Sequence, residues 1–251
     1  MNARAYYNEI EPYPAQWLRN LIAEGLIAPG DVDERSIVDV QPDDLKGYTQ
    51  CHFFAGIGGW SYALRLAGWP DDRPVWTGSC PCQPFSAAGK GKASSDERHL
   101  WPAWFRLIQA CRPERVFGEQ VEAAIGWGWL DLVYSDLEKE GYTVGAAVLP
   151  ACGVGAQHIR QRLWFVANAA SELRYERAAH QVRRGESLRA AGEFGGQDFG
   201  ILPLGSGWGL HQPTVCIKDD GISARVDQLR AFGNAIVPQV AAEFIKAADV
   251  A

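Results

Sequence analysis

Four side chains stand in settings that could do chemistry. Cys82 lies in Gly78-Ser-Cys-Pro-Cys-Gln-Pro-Phe-Ser86, Glu119 in Val116-Phe-Gly-Glu-Gln-Val121, and Arg160 and Arg162 in Gly155-Ala-Gln-His-Ile-Arg-Gln-Arg-Leu-Trp-Phe-Val166. A thiolate is nucleophilic near neutral pH and is able to leave again, which suits addition to a carbon followed by elimination. Guanidinium forks hold carbonyls, carboxylates and phosphates. Each residue also has a plain reading. A cysteine in a proline-rich turn is often a small buried hydrophobe, and an acid or two arginines can simply be solvated on a strand. Cys80 with Cys82 makes Cys-x-Cys, half of a metal site, but no partner Cys-x-x-Cys or close His pair follows, so zinc is the weaker reading.

The elements that would position these residues can be read from periodicity. Arg4 to Glu9 reads as a short strand ending in an acid. Pro12 to Glu24 puts Trp17, Leu18, Leu21 and Ile22 at helical spacing before Gly25. Leu26 to Asp31 reads as another short strand. Cys51 to Phe54 is apolar, Ala55-Gly-Ile-Gly-Gly59 follows, and Trp60 to Ala67 is amphipathic up to Gly68. Strand, glycine turn and helix in that order bring backbone close to a nucleotide-containing ligand in a Rossmann-like sheet; a tight turn with no ligand has the same sequence. Ala87 to Glu97 has few apolar anchors and is expected to be a mobile loop. Trp101, Trp104, Phe105 and Ile108 form the buried face of a helix, Val116 to Val121 a strand, and Gln239 to Ala248 a last helix. On an extended strand Arg160 and Arg162 would point to one face.

Together these stretches resemble the DNA cytosine-5 methyltransferases. That family's nucleophile loop reads roughly Gly-Phe-Pro-Cys-Gln-Pro-Phe-Ser, and its cofactor loop Asp-Leu-Phe-x-Gly-x-Gly-Gly is matched by His52-Phe-Phe-Ala-Gly-Ile-Gly-Gly59, with His52 in place of the acid. Glu119-Gln-Val121 resembles Glu-Asn-Val, His158-Ile-Arg-Gln-Arg162 resembles Gln-x-Arg-x-Arg, and Gly233-Asn-Ala-Ile-Val-Pro238 resembles the last motif. The resemblance implies an α/β fold: a Rossmann-like S-adenosylmethionine-dependent methyltransferase sheet with a small irregular target recognition region. It implies that Cys82 adds to carbon 6 of a cytosine extruded from the duplex and that Glu119 engages the ring N3 and exocyclic amine. Of Arg160 and Arg162, one would hold the base carbonyl and the other a phosphate. Phe54 would lie against S-adenosylmethionine, Gly56 and Gly58 would let its amino-acid end approach, and Ile57 and Pro81 would share that site. Asn234 and Ala235 would border its methionine part, and Lys90 and Lys92 would contact phosphates.

The order of segments departs from the family. Usually a strand ending in Glu, which holds the ribose hydroxyls, and a strand ending in Asp, near the adenine amine, follow the glycine loop. Here the chain passes from Gly68 to Val75-Trp-Thr and into the nucleophile loop, while Asn8-Glu-Ile-Glu-Pro-Tyr13 and Pro29-Gly-Asp-Val32 resemble the missing segments. A sheet needs its strands adjacent in space, whatever their order along the chain. A local circular permutation is therefore expected, with Glu9, Ile10 and Asp31 converging on the glycine loop; an unrelated acidic extension is the alternative. The expected organisation is a catalytic and cofactor-binding domain at 1–166, with 1–50 the permuted segment, a target recognition region at 167–226, and a returning segment at 227–251.

Composition bounds the partners. A chain of 251 residues, 47% hydrophobic and 22% charged, is ordinary globular protein. Its net charge of -6 argues against a simple nucleic-acid coat protein. The charge is uneven, however: residues 1–50 hold nine acids and four Lys/Arg, whereas residues 158–193 hold seven Arg and four acids. DNA contact is expected in the later part. Six cysteines without regular spacing suit a reducing compartment, and no apolar run approaches a membrane span, so a cytoplasmic monomer acting on double-stranded DNA is expected. An RNA cytosine methyltransferase and a catalytically silent DNA-binding regulator are the rival readings; a nicotinamide oxidoreductase is suggested by the glycines alone.

Overall fold

A computed structural model of the protein describes residues 4–81, 100–169 and 235–250, all of which belong to one compact unit. Strands β1 (Ala5–Asn8), β2 (Gly30–Asp33), β3 (Gln50–Phe53), β4 (Val75–Gly78), β5 (Arg115–Val121), β6 (Tyr142–Pro150) and β7 (Gln161–Ala169) form one sheet in the spatial order β2-β1-β3-β4-β5-β7-β6. The first five run parallel, and β7 is antiparallel to both β5 and β6. β3 thus has β1 and β2 on one side and β4 and β5 on the other. This is the layout of a doubly wound sheet around the strand that leads into its glycine loop.

Period-two alternation decides what each face carries. On one face Tyr6, Cys51, Phe53, Trp76 and Val116 pack with helices α3 (Trp101–Cys111) and α4 (Trp129–Lys139). On the other, Tyr7 packs under α1 (Pro12–Ala23), and Phe117 packs with α2 (Gly59–Leu66) and the C-terminal helix α5 (Pro238–Val250). Helix α1 begins on two prolines, which the first turn tolerates because its N–H groups have no intrahelical partner, and stops before Gly25 at φ +66°. Close packing leaves no slack in the middle of the sheet. Gly118 pairs with Phe165, and a Cβ there would sit 1.9 Å from the phenyl ring. Asp249 near the end of α5 binds Arg73 and Arg115, tying that helix to the amino-terminal edge of the sheet.

Several sequence-based boundaries shift. The second strand is Gly30–Asp33 rather than Leu26 to Asp31, because Ile27 and Ala28 pack with Leu18 of α1 before the chain extends. β7 runs on to Ala169, past the boundary expected at 166. Helix α4 and strand β6 have no counterpart in the sequence reading. Among the described residues no helix is long and apolar enough to cross a membrane.

Candidate active site

At the carboxyl ends of β1 and β3 lies a cavity of about 590 Å3, within the range of small-molecule sites. One wall is the start of the chain: Asn8, Glu9, Ile10, Glu11 and the first turn of α1, with Ser36 and Ile37 beyond β2. The other is the glycine loop, Phe54 to Ile57, with Gly59 and Trp60 of α2, then Ser79, Pro81, Leu100, Ala235 and Ile236. Ligands of open α/β sheets bind outside the carboxyl ends of the strands, where the order reverses. Here that crevice lies beside β3.

Glu9 is the hinge between the two walls. Its Oε2 accepts the amide of Gly56 at 2.7 Å and its Oε1 the amide of Glu11 at 3.0 Å. Burial raises its pKa, and the two backbone N–H groups partly offset that. Each carboxylate oxygen keeps a further lone pair, and Glu9 lines the cavity. Phe54 opens the loop at φ +52°, unusual for a residue with a side chain, and sets its ring edge-on to Trp104.

Asp31 does not join Glu9. It pairs with Tyr6, three positions before Glu9, and its carboxylate is held by Arg4 and by the Tyr48 hydroxyl at 2.7 Å, outside the cavity wall. Where β2 reaches the cavity level the chain has advanced to Ser36 and Ile37. Gly58 is also absent from this wall. It caps α2 at φ +83°, and a Cβ there would meet Leu18, Leu21 and Ile27 on the side of α1. His52, at the position of the family's acid, is a core residue: its Nδ1 lies 2.8 Å from Thr77 Oγ1, its ring stacks on Tyr7, and burial pushes its pKa down to about 3, so it is neutral.

Next along the sheet, Glu119 is 7% exposed. Its Oε1 meets Arg162 Nε at 3.0 Å. Burial raises its pKa against the opposing influence of a Ser79 hydrogen bond and of Arg162 and Arg160. Gln120 donates from Nε2 to the Cys80 carbonyl at 2.9 Å and accepts the Val121 amide on Oε1. It thereby fixes the backbone two residues before Cys82. The two arginines are not side by side on one strand. Arg160 precedes β7 with φ +29° and donates to the Ala235 carbonyl at 2.8 Å, so the extended geometry that would align it with Arg162 is interrupted. Burial and Arg162 lower its pKa.

Of the predicted site residues, Glu9, Ile10, Phe54, Gly56, Ile57, Pro81 and Ala235 gather in the cavity wall, and Glu119 pairs with Arg162. Cys82, Lys90, Lys92 and Asn234 lie outside the described residues, as does most of the expected target recognition region. Sequence reasoning missed Ser79, Trp60 and the Gln120 tether. Among the described residues no group of three or more His, Cys, Asp or Glu is arranged to hold a metal ion.

Comparison with known proteins gives a family match. Residues 69–187 match the model for C-5 cytosine-specific DNA methylase. That span is just under half of the chain, which over it is similar to the C-5 cytosine-specific DNA methylases. Among similar proteins, the type II methyltransferase M.HgiCII of Herpetosiphon aurantiacus is 26% identical over 163 residues, 49% of this chain and 37% of that protein. M.NgoMIV of Neisseria gonorrhoeae is 32% identical over 100 residues, 39% of this chain and 32% of that one. The chain therefore spans about a third of the length of the curated relatives it matches. A solved structure of the Spodoptera frugiperda DNMT2 aligns with a TM-score of 0.46 at 16% identity, covering 65% of this chain and 42% of that one.

Proposed function

We propose that the protein transfers a methyl group from S-adenosylmethionine to carbon 5 of a cytosine flipped out of double-stranded DNA, through a covalent adduct of Cys82. The observation that carries this reading is the Glu9–Gly56 bond. It joins the N-terminal segment to the glycine loop around a cavity whose wall also includes Pro81, the residue before the candidate nucleophile. The fit to the methyl donor rests on that cavity's size and on the lone pairs of Glu9, which suit a pair of ribose hydroxyls. S-adenosylmethionine, bound there against Phe54 and Ile57, would supply an electrophilic methyl group.

The chain's own residues do the rest. Carbon 5 of cytosine is too electron-poor to take a methyl group until something adds to carbon 6. The Cys82 thiolate forms a bond to carbon 6 while Glu119 gives a proton to N3, which accepts the displaced electron pair. Burial suits Glu119 to this, since it holds the carboxyl nearer to protonation than an exposed glutamate. Carbon 5 then takes the methyl group, its proton leaves to a base, the carbon–sulfur bond breaks to return the thiolate, and N3 gives its proton back to Glu119. Arg162 holds Glu119 in place from the β7 side.

We further read residues 1–50 as the ribose- and adenine-binding segment moved ahead of the glycine loop, and 167–226 as the target recognition region. The parallel register of β1 with β3 and the Glu9–Gly56 bond support the first of these. Incubation with radiolabelled S-adenosylmethionine and duplex DNA or transfer RNA tests the reading. Label is expected in DNA with wild-type protein and not with Cys82→Ala. Transfer by the alanine variant would defeat the covalent mechanism, and label in transfer RNA alone would reassign the substrate.

A further inference from the structure

We propose that Ser79 is a positioning residue for Glu119, its hydroxyl aimed at that carboxylate by the indole of Trp60. The inference deepens the proposed reaction and rests on it for the use made of Glu119. Its geometry comes from strand register. Gly78 at the end of β4 pairs with Gly118 of β5, so the next residues along two parallel neighbours are Ser79 and Glu119.

Trp60 Nε1 lies 3.1 Å from Ser79 Oγ. An indole N–H can only donate, so this contact occupies a lone pair and leaves the single hydroxyl hydrogen for an acceptor. Glu119, which follows Gly118 on the paired strand and whose charged form the Ser79 side chain favours, is the acceptor that the register offers. The indole has little freedom to turn away: it is 2% exposed, stacked against Phe117 and edge-on to Trp164. Glu119 thus receives one donor from the β4 side and another, Arg162 Nε, from the β7 side. Two donors on opposite flanks fix the carboxyl plane, and with it the direction in which a proton can pass to a ring nitrogen. Ser79 and Trp60 also line the cavity, so the wall proposed to hold the methyl donor is the wall that orients the acid. The family pattern carries glycine where Ser79 stands, which makes this hydroxyl a feature of the present chain.

The consequence is an opposition at Glu119: burial favours the protonated form, and the Ser79 bond favours the charged one. The test uses the full chain with Ser79→Ala, Ser79→Thr and Trp60→Phe, and follows Glu119 by carbon-13 NMR of glutamate-labelled protein, its signal assigned by its absence in Glu119→Gln. Ser79→Ala is expected to titrate at higher pH than wild type, Ser79→Thr close to wild type, and Trp60→Phe in between. In parallel, kcat of Ser79→Ala should fall roughly tenfold, with its alkaline limb displaced upward and KM for the methyl donor changed by less than about twofold. Coincident titration curves for Ser79→Ala and wild type would overturn the proposal, whatever happens to activity. Should the alanine variant not fold, an unchanged titration in Trp60→Phe would overturn it equally. The NMR readout needs no turnover. A protein that transfers no methyl group would thus refute the proposed reaction, while the Ser79 assignment is decided by the titration.

Discussion

Glu9 Oε2 accepts the amide of Gly56 at 2.7 Å across 47 residues of sequence. The bond crosses from the end of β1 to the loop after β3, and both carboxylate oxygens are committed to backbone donors. Removing the carboxylate leaves those amides without their acceptor. Glu9→Ala should therefore weaken S-adenosylmethionine binding by about 1–3 kcal/mol, measured by calorimetry. Unchanged affinity would separate this bond from the cofactor site.

Asp31 provides the contrast. It lies on the neighbouring strand, outside the cavity wall, in partly exposed pairing with Arg4 and Tyr48. Asp31→Asn should leave cofactor affinity within experimental error in the same calorimetric assay. Its effect on stability should stay below about 1 kcal/mol, as for exposed ion pairs.

Glu119 has a pKa raised by burial, so the folded state binds its proton more tightly than the unfolded chain. Its contribution to stability is fully present below the unfolded value and is lost as pH rises through the folded one. Glu119→Gln removes the titration. Melting temperatures across pH 5 to 8.5 should show the variant gaining on wild type as pH rises, while methyl transfer is lost. A gap that stays constant with pH would contradict the burial of this charge.

Gln120 holds the Cys80 carbonyl with one end of its amide and the Val121 amide with the other. Gln120→Ala leaves both backbone groups short of a partner in a buried setting. A loss of about 1–3 kcal/mol in chemical denaturation is expected, together with a lower kcat, because the backbone before Cys82 is no longer fixed. A normal kcat with lowered stability would confine Gln120 to a structural part.

Gly118→Ala should damage folding itself. The added methyl would occupy the space of the Phe165 ring in the middle of the sheet, and soluble yield and thermal melting would report it. Overpacking of a tight core typically costs about 1–3 kcal/mol.

How much of this was legible in the sequence follows from the range of each interaction. The glycine turn, the strand before it and the helix after it are local, and they stand close to where periodicity puts them. The approach of Glu9 to that turn could be expected because Asn8-Glu-Ile-Glu-Pro-Tyr13 ends a strand and resembles the family segment missing after the glycine loop. Asp31 was misplaced because the residue that reaches the sheet's carboxyl edge depends on register, which no single strand reveals. Arg160 was misread because a positive φ interrupts the extended run. Trp60 and Ser79 meet only through the alignment of α2 with β4. The departures from the family pattern at Ser79 and Gln120 were visible as letters, but their partners were not.

The placement of β1 and β2 at the start of the chain has a further consequence. Everything they give to the cavity comes from one continuous stretch, and that stretch is joined to β3 through residues 46–49, outside any strand. A polypeptide severed there would divide into two fragments without cutting a single ladder. The crevice beside Glu9 would be the seam on which they recombine, and a small molecule bound in that seam would act as the clasp between the two halves.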